Sequence, residues 1–237
     1  MDAIYFFAGT GSFSEVAKEH WFRVYSLDYE PKHKCEITMD ILDFCPGDFP
    51  HIFPRIIWAS PDCTSFSFAS CGFHRDRFGN PKTKKAFLWD ELLQKTLSLF
   101  EEYWKINPDL EWYMENPRGH MAKRPYLIEW MRANWWYEHL ITYCSYWHPF
   151  RKPTNIWTNN PNWIPRKRCW YKYNDPGIQL ELCPDTLCSH DMVQRNTNWG
   201  ISWIGKAWDS RRSVIPKDLF YEIFNHSNIC DDTSQGN

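Results

Sequence analysis

The sequence predicts an α/β fold in which helices cover both faces of a doubly wound, mostly parallel sheet. Three observations favour this class. Strand-like apolar runs alternate with helix-like segments over the first two-thirds of the 237 residues. Several apolar runs stop at residues suited to ligand binding, namely Gly9, Asp28 and Cys63, as expected where parallel strands end at one edge of a sheet. No internal repeat or low-complexity linker interrupts the pattern.

The first half of the chain opens with an apolar and aromatic strand over residues 3–7, which runs into a Gly-x-Gly turn. Apolar residues with helical spacing then predict a helix over residues 12–20, with Ser12 or Ser14 as its cap. Further apolar runs predict two more strands, and a proline indicates the start of a short helix. These are the strands over residues 22–27 and 55–59 and the helix from Pro31.

The second half contains the clearest helix, over residues 84–106, because its apolar side chains lie close to one face. Shorter apolar runs predict the remaining elements: strands over 111–114 and 138–143, a helix over 126–133, and a closing helix over 215–224 with Pro216 in its first turn. From residue 158 to about residue 208, many prolines among polar and aromatic residues indicate a loop-rich segment.

We therefore expect three parts: a core over residues 1–157, a small loop-rich module over 158–208, and a C-terminal segment over 209–237 that returns to the core. Four soft metal ligands lie inside the module: Cys169, Cys183, Cys188 and His190. They suggest a zinc site that replaces a missing core. Because no tight Cys-x-x-Cys pair is present, scattered thiols are the alternative.

Composition limits the classes of protein. The formal net charge is only −2, no apolar run is long enough to span a bilayer, and no secretion signal opens the chain. We therefore expect a monomer without a membrane partner, in the cytoplasm or host-cell interior. Nine cysteines at irregular spacing indicate reduced thiols. Basic residues nevertheless cluster around 74–85, 118–124 and 151–172, which predicts a locally positive cleft.

A cofactor pocket is predicted where the first strand turns into the first helix. The turn at residues 9–11 would line a helix start with backbone N–H groups, but it has two glycines rather than the three of the dinucleotide fingerprint. Asp28, or its neighbour Glu30, is placed to accept hydrogen bonds from ribose hydroxyls. Together with Asp40, this pattern favours an adenosine-type cofactor, which S-adenosylmethionine satisfies.

Cys63 is the candidate nucleophile. It follows the strand over 55–59 and Pro61, so we expect its thiol at the carboxyl edge of the sheet, close to the glycine turn. The alternative is simple packing, because unpaired cysteine is among the residue types most often buried.

The motifs at the strand ends resemble, in the same order, those of the cytosine-5 DNA methyltransferases. The similar segments are residues 7–13, Asp28 with 40–41, 60–67, 115–117, 146–152 and 212–216. The resemblance covers nearly the whole chain. It implies a Rossmann-like class I methyltransferase fold with a small target-recognition module, S-adenosylmethionine as cofactor, and methyl transfer to carbon 5 of a cytosine flipped out of duplex DNA.

The resemblance also implies a role for individual residues. Cys63 would add to carbon 6 of the cytosine, Glu115 would grip the ring nitrogen and amino group, and Arg151 with Lys152 would hold the base oxygen. The residues implied to bind the cofactor are Phe7, Gly9, Thr10, Gly11, Asp28, Tyr29, Asp40, Ile41, Pro61, Ser213 and Val214. The basic segment 68–81 would be a mobile loop that closes over the substrate and contacts phosphate.

Four positions depart from the family pattern. Asp62 replaces the second proline before the cysteine, and its carboxylate is expected to raise the thiol pKa. Trp147 replaces a glycine, Phe150 a glutamine and Arg212 an asparagine. Two alternatives therefore stay open: the same chemistry on RNA, and a cofactor-binding or nucleic-acid-binding protein without activity. An amino-methyltransferase is disfavoured, because Cys63 stands where those enzymes place an aromatic residue.

Overall fold

The computed structural model describes residues 1–68, 72–134, 136–169, 192–197, 200–205 and 214–227. The strands are β1 Asp2–Phe6, β2 Arg23–Asp28, β3 Ile37–Thr38, β4 Pro54–Ala59, β5 Glu111–Pro117, β6 Tyr137–Thr142, β7 Phe150–Arg151, β8 Pro153–Thr158, β9 Met192–Thr197 and β10 Gly200–Gly205. The helices are α1 Ser12–Glu19, α2 Lys84–Ile106, α3 Pro125–Asn134 and α4 Lys217–His226.

Seven strands form one sheet in the order β3-β2-β1-β4-β5-β8-β6. All neighbours pair in parallel except β8, which is antiparallel to both β5 and β6. The order reverses direction between β1 and β4, as in doubly wound folds, so the ligand-binding edge lies at the carboxyl ends of these strands. The predicted fold class, doubly wound and mostly parallel, is confirmed.

The sheet is buried on both faces because alternate side chains of each strand enter different cores. Tyr5 of β1 packs with α1 and α4 in one core, where Phe13 contacts Phe220 at a ring-centroid distance of 5.5 Å. Ile4 and Phe6 face the other core, which contains the apolar face of α2. Helices therefore cover both faces, and the ends of the strands are left to form a site.

Several local features differ from the sequence expectations. Neither Ser12 nor Ser14 caps α1: Gly11 occupies the N-cap in the left-handed region with φ of 75°. Strands β3, β7, β8, β9 and β10 were not predicted, and the last two lie in the segment expected to be rich in loops. Pro216 directly precedes α4 instead of lying in its first turn.

The first residues after β8 pack against the core. Trp163 is fully buried in the core formed by α1 and α4. A second, three-stranded sheet contains β7, which precedes β8, together with β9 and β10. Within the described ranges, no helix has the length and apolar character needed to cross a membrane.

Candidate active site

The first part of the site is the turn between β1 and α1. Phe7 and Gly9 both have positive φ, 58° and 42°, so the chain bends sharply as it leaves the sheet. The Asp28 carboxylate holds this bend from the end of β2. One oxygen accepts the N–H of Gly9 at 3.1 Å, and the other accepts the N–H of Glu30 at 3.0 Å. Asp28 therefore shapes the turn, and it also lines the cavities beside it.

A cavity of about 530 Å³ lies beside this turn. Its walls combine apolar side chains with carboxylates, and the residues that line it include Phe7, Asp28, Tyr29, Asp40, Ile41 and Trp89. Trp89 Nε1 is buried and, within the described part of the chain, has no hydrogen-bond partner. An orphaned donor among apolar walls and acceptors suits a flat, polar heterocycle such as adenine. The predicted cofactor residues of this region thus fit an adenosine moiety.

Cys63 stands in the loop that follows β4. The backbone turns tightly here because Asp62 Oδ1 accepts the Thr64 N–H at 2.8 Å and the Thr64 hydroxyl at 2.6 Å. The side chain of Asn116, at the end of β5, donates from Nδ2 to the Pro61 carbonyl at 2.7 Å. Asn116 is fully buried, so this bond fixes the cysteine loop to the neighbouring strand.

The electrostatic surroundings of Cys63 oppose ionisation in the isolated protein. Burial raises the pKa of the thiol above its ordinary value. The ammonium of Lys152 lowers this pKa, whereas the carboxylates of Asp62 and Glu115 raise it. The effect expected for Asp62 from the sequence therefore operates, but burial is the larger cause. Within the described part of the chain, Lys152 is the cation whose charge favours the thiolate.

Glu115 is a buried carboxylate held in one position. The Tyr143 hydroxyl donates to its Oε1 at 2.6 Å, and Lys152 Nζ lies 3.9 Å from the same oxygen. Lys152 Nζ also lies 4.7 Å from the centre of the Tyr143 ring. The three side chains hold one another in position, because the phenol donates to the carboxylate and the ammonium attracts both the carboxylate and the aromatic ring.

Cys63, Glu115 and Lys152 line a single cavity of about 350 Å³ together with Gly9 and Thr10. The same cavity also includes Asp28 and Pro61, and it adjoins the larger one through shared walls at Phe7, Asp28, Tyr29, Asp62 and Trp89. Gly11 lies outside the walls of both cavities and acts as the N-cap of α1. The arrangement brings a thiol, a carboxylate and an ammonium next to the predicted cofactor pocket.

Arg151 does not share this cavity. Because side chains alternate along an extended chain, Arg151 and Lys152 point in different directions. Arg151 Nη2 instead donates to the Cys169 carbonyl at 3.2 Å. Of the two residues expected to hold the base oxygen, only Lys152 faces the thiol.

In the segment after Cys63, one of the basic residues is not exposed to solvent. Arg75, expected among its exposed cations, is fully buried. Its Nε donates to the Ser65 carbonyl at 2.9 Å, and its guanidinium lies 4.3 Å from the centre of the Phe66 ring. Arg75 therefore anchors the segment from within and is not available to phosphate.

Tyr143 is a site residue that sequence reasoning missed. It lies at the end of predicted strand 138–143, and its position just beyond a strand was the available signal. Two other predictions fall partly outside the described residues. In the last motif, Arg212 and Ser213 lie outside the described residues, whereas Val214 is half-buried and its neighbour Ile215 lines the smaller cavity. Of the zinc candidates, the residues outside the description are Cys183, Cys188 and His190.

The zinc hypothesis stays a prediction. Cys169 is buried and its backbone N–H donates to the Thr142 hydroxyl at 2.9 Å. Among the residues that the structure describes, no group of three or more metal ligands is present. The other three candidate ligands are not among those residues.

Comparison with known proteins identifies the fold. No protein-family model matches the sequence, and no curated protein matches it. Among solved structures, the chain is similar to a prophage-encoded E. coli protein described as a DNA modification methyltransferase. The TM-score is 0.50 at 14% identity, over 67% of this chain and 46% of the other.

Two further similar structures carry the name Dnmt2. One is the S. pombe Dnmt2 methyltransferase, with a TM-score of 0.49 at 14% identity, over 67% of this chain and 50% of that one. The other is a triple mutant of Spodoptera frugiperda DNMT2, with a TM-score of 0.43 at 15% identity, over 70% and 53%. The chain thus matches about half the length of these proteins.

The described core therefore has a Rossmann-like methyltransferase fold. The sequence motifs resemble those of the cytosine-5 DNA methyltransferases, and the folded chain is similar to a protein described as a DNA modification methyltransferase.

Proposed function

We propose that this protein transfers a methyl group from S-adenosylmethionine to carbon 5 of cytosine in DNA. The observation that carries the proposal is the single cavity shared by Cys63, Glu115 and Lys152 beside the Gly9 turn. These are a nucleophile, a group that can hold a pyrimidine edge, and a cation. Each is needed because carbon 5 of cytosine is a poor nucleophile until the ring is activated.

The chain's own residues account for that activation. The Cys63 thiolate adds to carbon 6 of the base, which makes carbon 5 nucleophilic. Glu115, protonated or sharing a proton with ring nitrogen 3, holds that nitrogen and accepts a hydrogen bond from the amino group, and the Tyr143 hydroxyl keeps the Glu115 side chain in place at 2.6 Å. Lys152 stabilises the thiolate and binds the base oxygen. Once carbon 5 is methylated, loss of its proton to a base such as water expels Cys63.

S-adenosylmethionine supplies an electrophilic methyl group when it is bound. The residues that fit it are the Gly9 turn with Asp28, and the walls of the larger cavity at Asp40, Ile41 and Trp89. The orphaned Trp89 Nε1 donor supports this fit. The two cavities adjoin, so a methyl group held at their junction would lie near the thiol.

The depth of the thiol implies that the base leaves the helix. Cys63 lines a cavity of about 350 Å³ together with the buried Glu115, and a base still stacked and paired in a duplex cannot enter such a space. The cytosine must therefore be extruded from the duplex before Cys63 can reach carbon 6.

Covalent trapping tests the proposal. Fluorine at carbon 5 blocks the final proton loss, so 5-fluorocytosine in a duplex should yield a protein–DNA adduct that survives denaturation when S-adenosylmethionine is present. Cys63→Ala should abolish the adduct. Cys45→Ala, which removes an exposed thiol outside the cavity, should leave it unchanged.

The other outcomes are equally informative. An adduct on a 5-fluorocytosine RNA hairpin and none on the duplex would assign the chemistry to RNA. Absence of an adduct on either nucleic acid would contradict methyl transfer by this route and favour a binding protein without activity.

A further inference from the structure

A phenol that the proposed mechanism does not use lies in the wall of the smaller cavity. Tyr5, near the end of β1, is only 2% exposed, and Ser60, which follows β4, lines the same cavity. Strands β1 and β4 pair in parallel with Tyr5 opposite Trp58. The Ser60 N–H donates to the Phe6 carbonyl at 3.2 Å and so continues this pairing. The two hydroxyl-bearing side chains are therefore held next to each other at the carboxyl edge of the sheet.

The hydrogen bonds of this pair leave one donor for a ligand. Trp58 Nε1 can only donate, and it lies 2.7 Å from Ser60 Oγ, so Ser60 is the acceptor in that bond and keeps its own hydrogen. A hydrogen bond from Ser60 lowers the pKa of Tyr5, whereas burial raises that pKa more strongly. The phenol therefore stays protonated at neutral pH. Because its oxygen accepts from Ser60, its own O–H is available to an acceptor in the cavity.

The glycine turn offers fewer unused donors than its sequence suggested. The Gly9 N–H donates to the Asp28 carboxylate at 3.1 Å, and the Gly11 N–H donates to the Ala8 carbonyl at 2.8 Å. Two of the three N–H groups of the turn are thus engaged within the protein. An anionic group that enters the smaller cavity gains a donor that these amides do not provide when it reaches the Tyr5 hydroxyl.

The layout of the two cavities indicates which anionic group this is. The sulfonium of S-adenosylmethionine carries a methyl group, an adenosyl group and a chain that ends in a carboxylate and an ammonium. The larger cavity suits the adenosyl group, and the methyl group has to face Cys63. The third chain then extends along the rest of the smaller cavity, whose walls there include Tyr5, Thr10, Ser60 and Ile215. A carboxylate is the acceptor for which a phenol is a strong donor.

We propose that the Tyr5 hydroxyl, oriented by Ser60, binds the carboxylate at the methionine end of S-adenosylmethionine. The inference rests on the proposed function, because it takes S-adenosylmethionine to be the cofactor. The sequence motifs assign neither residue to cofactor binding. Tyr5 lies inside a buried strand, and only the pairing of β1 with β4 brings it to Ser60.

Two compounds that differ by one carboxylate test this contact without any catalysis. Isothermal titration calorimetry, in the absence of nucleic acid, measures the binding of S-adenosylmethionine and of decarboxylated S-adenosylmethionine to wild type and Tyr5→Phe. The variant lacks only the hydroxyl. It should bind S-adenosylmethionine roughly tenfold more weakly than wild type does, as expected for loss of a hydrogen bond to a charged group. It should bind the decarboxylated compound with wild-type affinity, because the partner of the missing hydroxyl is then absent.

Tyr103→Phe is the matched control. Tyr103 is a buried tyrosine of α2 that lines neither cavity, and within the described ranges its hydroxyl has no hydrogen-bond partner. Loss of this hydroxyl should leave the affinity for both compounds at the wild-type value. Thermal unfolding of the two variants shows that each is folded before its affinities are compared.

The outcomes separate this inference from the methyl-transfer proposal. Unchanged binding of S-adenosylmethionine by Tyr5→Phe would overturn the inference, and so would an equal loss for both compounds, which would assign the phenol a structural role. Wild type that binds the two compounds equally well would overturn it without any variant. Each of these results, together with a Cys63 adduct on 5-fluorocytosine DNA, would leave methyl transfer supported. A carboxylate-dependent loss without an adduct on DNA or RNA would support the contact and contradict the chemistry. Wild type that binds neither compound would contradict both.

Discussion

Arg75 and Asp90 form a buried ion pair in which Nη2 lies 2.9 Å from Oδ1 and Nη1 lies 3.1 Å from Oδ2. Arg75 is fully buried and Asp90 is 7% exposed. Because Arg75 also binds the Ser65 carbonyl, the pair ties the loop that carries Cys63 to helix α2. The position of the nucleophile thus depends on a charge pair inside the protein.

Removing one partner of this pair should be strongly destabilising. Arg75→Met leaves the Asp90 carboxylate buried without its main partner and should lower the free energy of unfolding by about 3–5 kcal/mol. Urea denaturation measures the loss. Lys18→Met is the control, because Lys18 pairs with Glu36 at the surface, with 57% and 41% of the two side chains exposed, and less than about 1 kcal/mol is expected there. Similar losses in the two variants would contradict the anchoring role.

The ionisation of Cys63 should depend on its charged neighbours. A thiol with a raised pKa is mostly protonated at neutral pH, so its alkylation by iodoacetamide should keep accelerating as pH rises past the ordinary thiol range. Lys152→Met removes the charge that lowers the pKa and should shift the rate profile to higher pH. Asp62→Asn removes a charge that raises the pKa, keeps an acceptor for Thr64, and should shift the profile to lower pH.

Mass spectrometry of the Cys63 peptide gives these profiles directly. A Lys152→Met profile that coincides with that of wild type would show that the ammonium does not act on the thiol. The Asp62→Asn variant also bears on the family departure at this position, since faster alkylation there would mean that the aspartate restrains the nucleophile.

Gly119 should not tolerate a side chain. A Cβ at this position would overlap the Phe66 carbonyl oxygen, and backbone cannot move aside as a flexible side chain can. The His120 N–H donates to the same carbonyl at 2.7 Å, so the contact holds the loop after Cys63 against the end of β5. Gly119→Ala should therefore cost about 1–3 kcal/mol in unfolding free energy and lower the adduct yield.

Gly47→Ala is the control for that substitution. The nearest atom to a Cβ at Gly47 is Cys45 Sγ at 3.8 Å, which is ordinary contact. Thermal unfolding should place Gly47→Ala close to wild type. A Gly119→Ala protein as stable as Gly47→Ala would mean that the loop can shift away from β5 at little cost.

Trp147 occupies a backbone conformation that suits glycine. Its φ is 60°, in the left-handed region, and the side chain is 69% exposed, so little packing offsets the strain. Trp147→Gly should raise the unfolding free energy by about 1 kcal/mol. Trp147→Ala removes the same ring but keeps a Cβ and should bring no gain. Equal stability of the two variants would indicate that the backbone is not strained.

The sequence predicted the elements with strong periodicity and missed those that owe their form to neighbours. Helix α2 was predicted with its observed bounds, because one apolar face runs its whole length. Strand β8 was missed, because it starts with Pro153 and polar residues that become buried only when β5 and β6 flank it. The side-chain pattern of β8 reflects its position between two other strands and not an intrinsic preference of these residues for extended structure.

The same distinction applies to the site. Residues at strand ends were predictable, so Cys63 and Glu115 were named and lie in one cavity. The choice between Arg151 and Lys152 depends on which way an extended segment faces, which no local pattern reveals. The sequence suggested that Arg75 is exposed, because its partner Asp90 lies on helix α2 and meets Arg75 only when that helix packs against the loop.

The late arrival of β8 has a consequence for how the protein is made. This strand separates β5 from the edge strand β6 although it follows both in the chain, so the sheet stays open beyond β5 until residue 158 has left the ribosome. Until then β5 presents an unpaired hydrogen-bonding edge with apolar side chains on both faces, a surface prone to association. Lys152 directly precedes β8 and lines the same cavity as Cys63. The pairing of β8 with β5 and the arrival of the Lys152 ammonium in the cavity therefore occur together as the chain is synthesised.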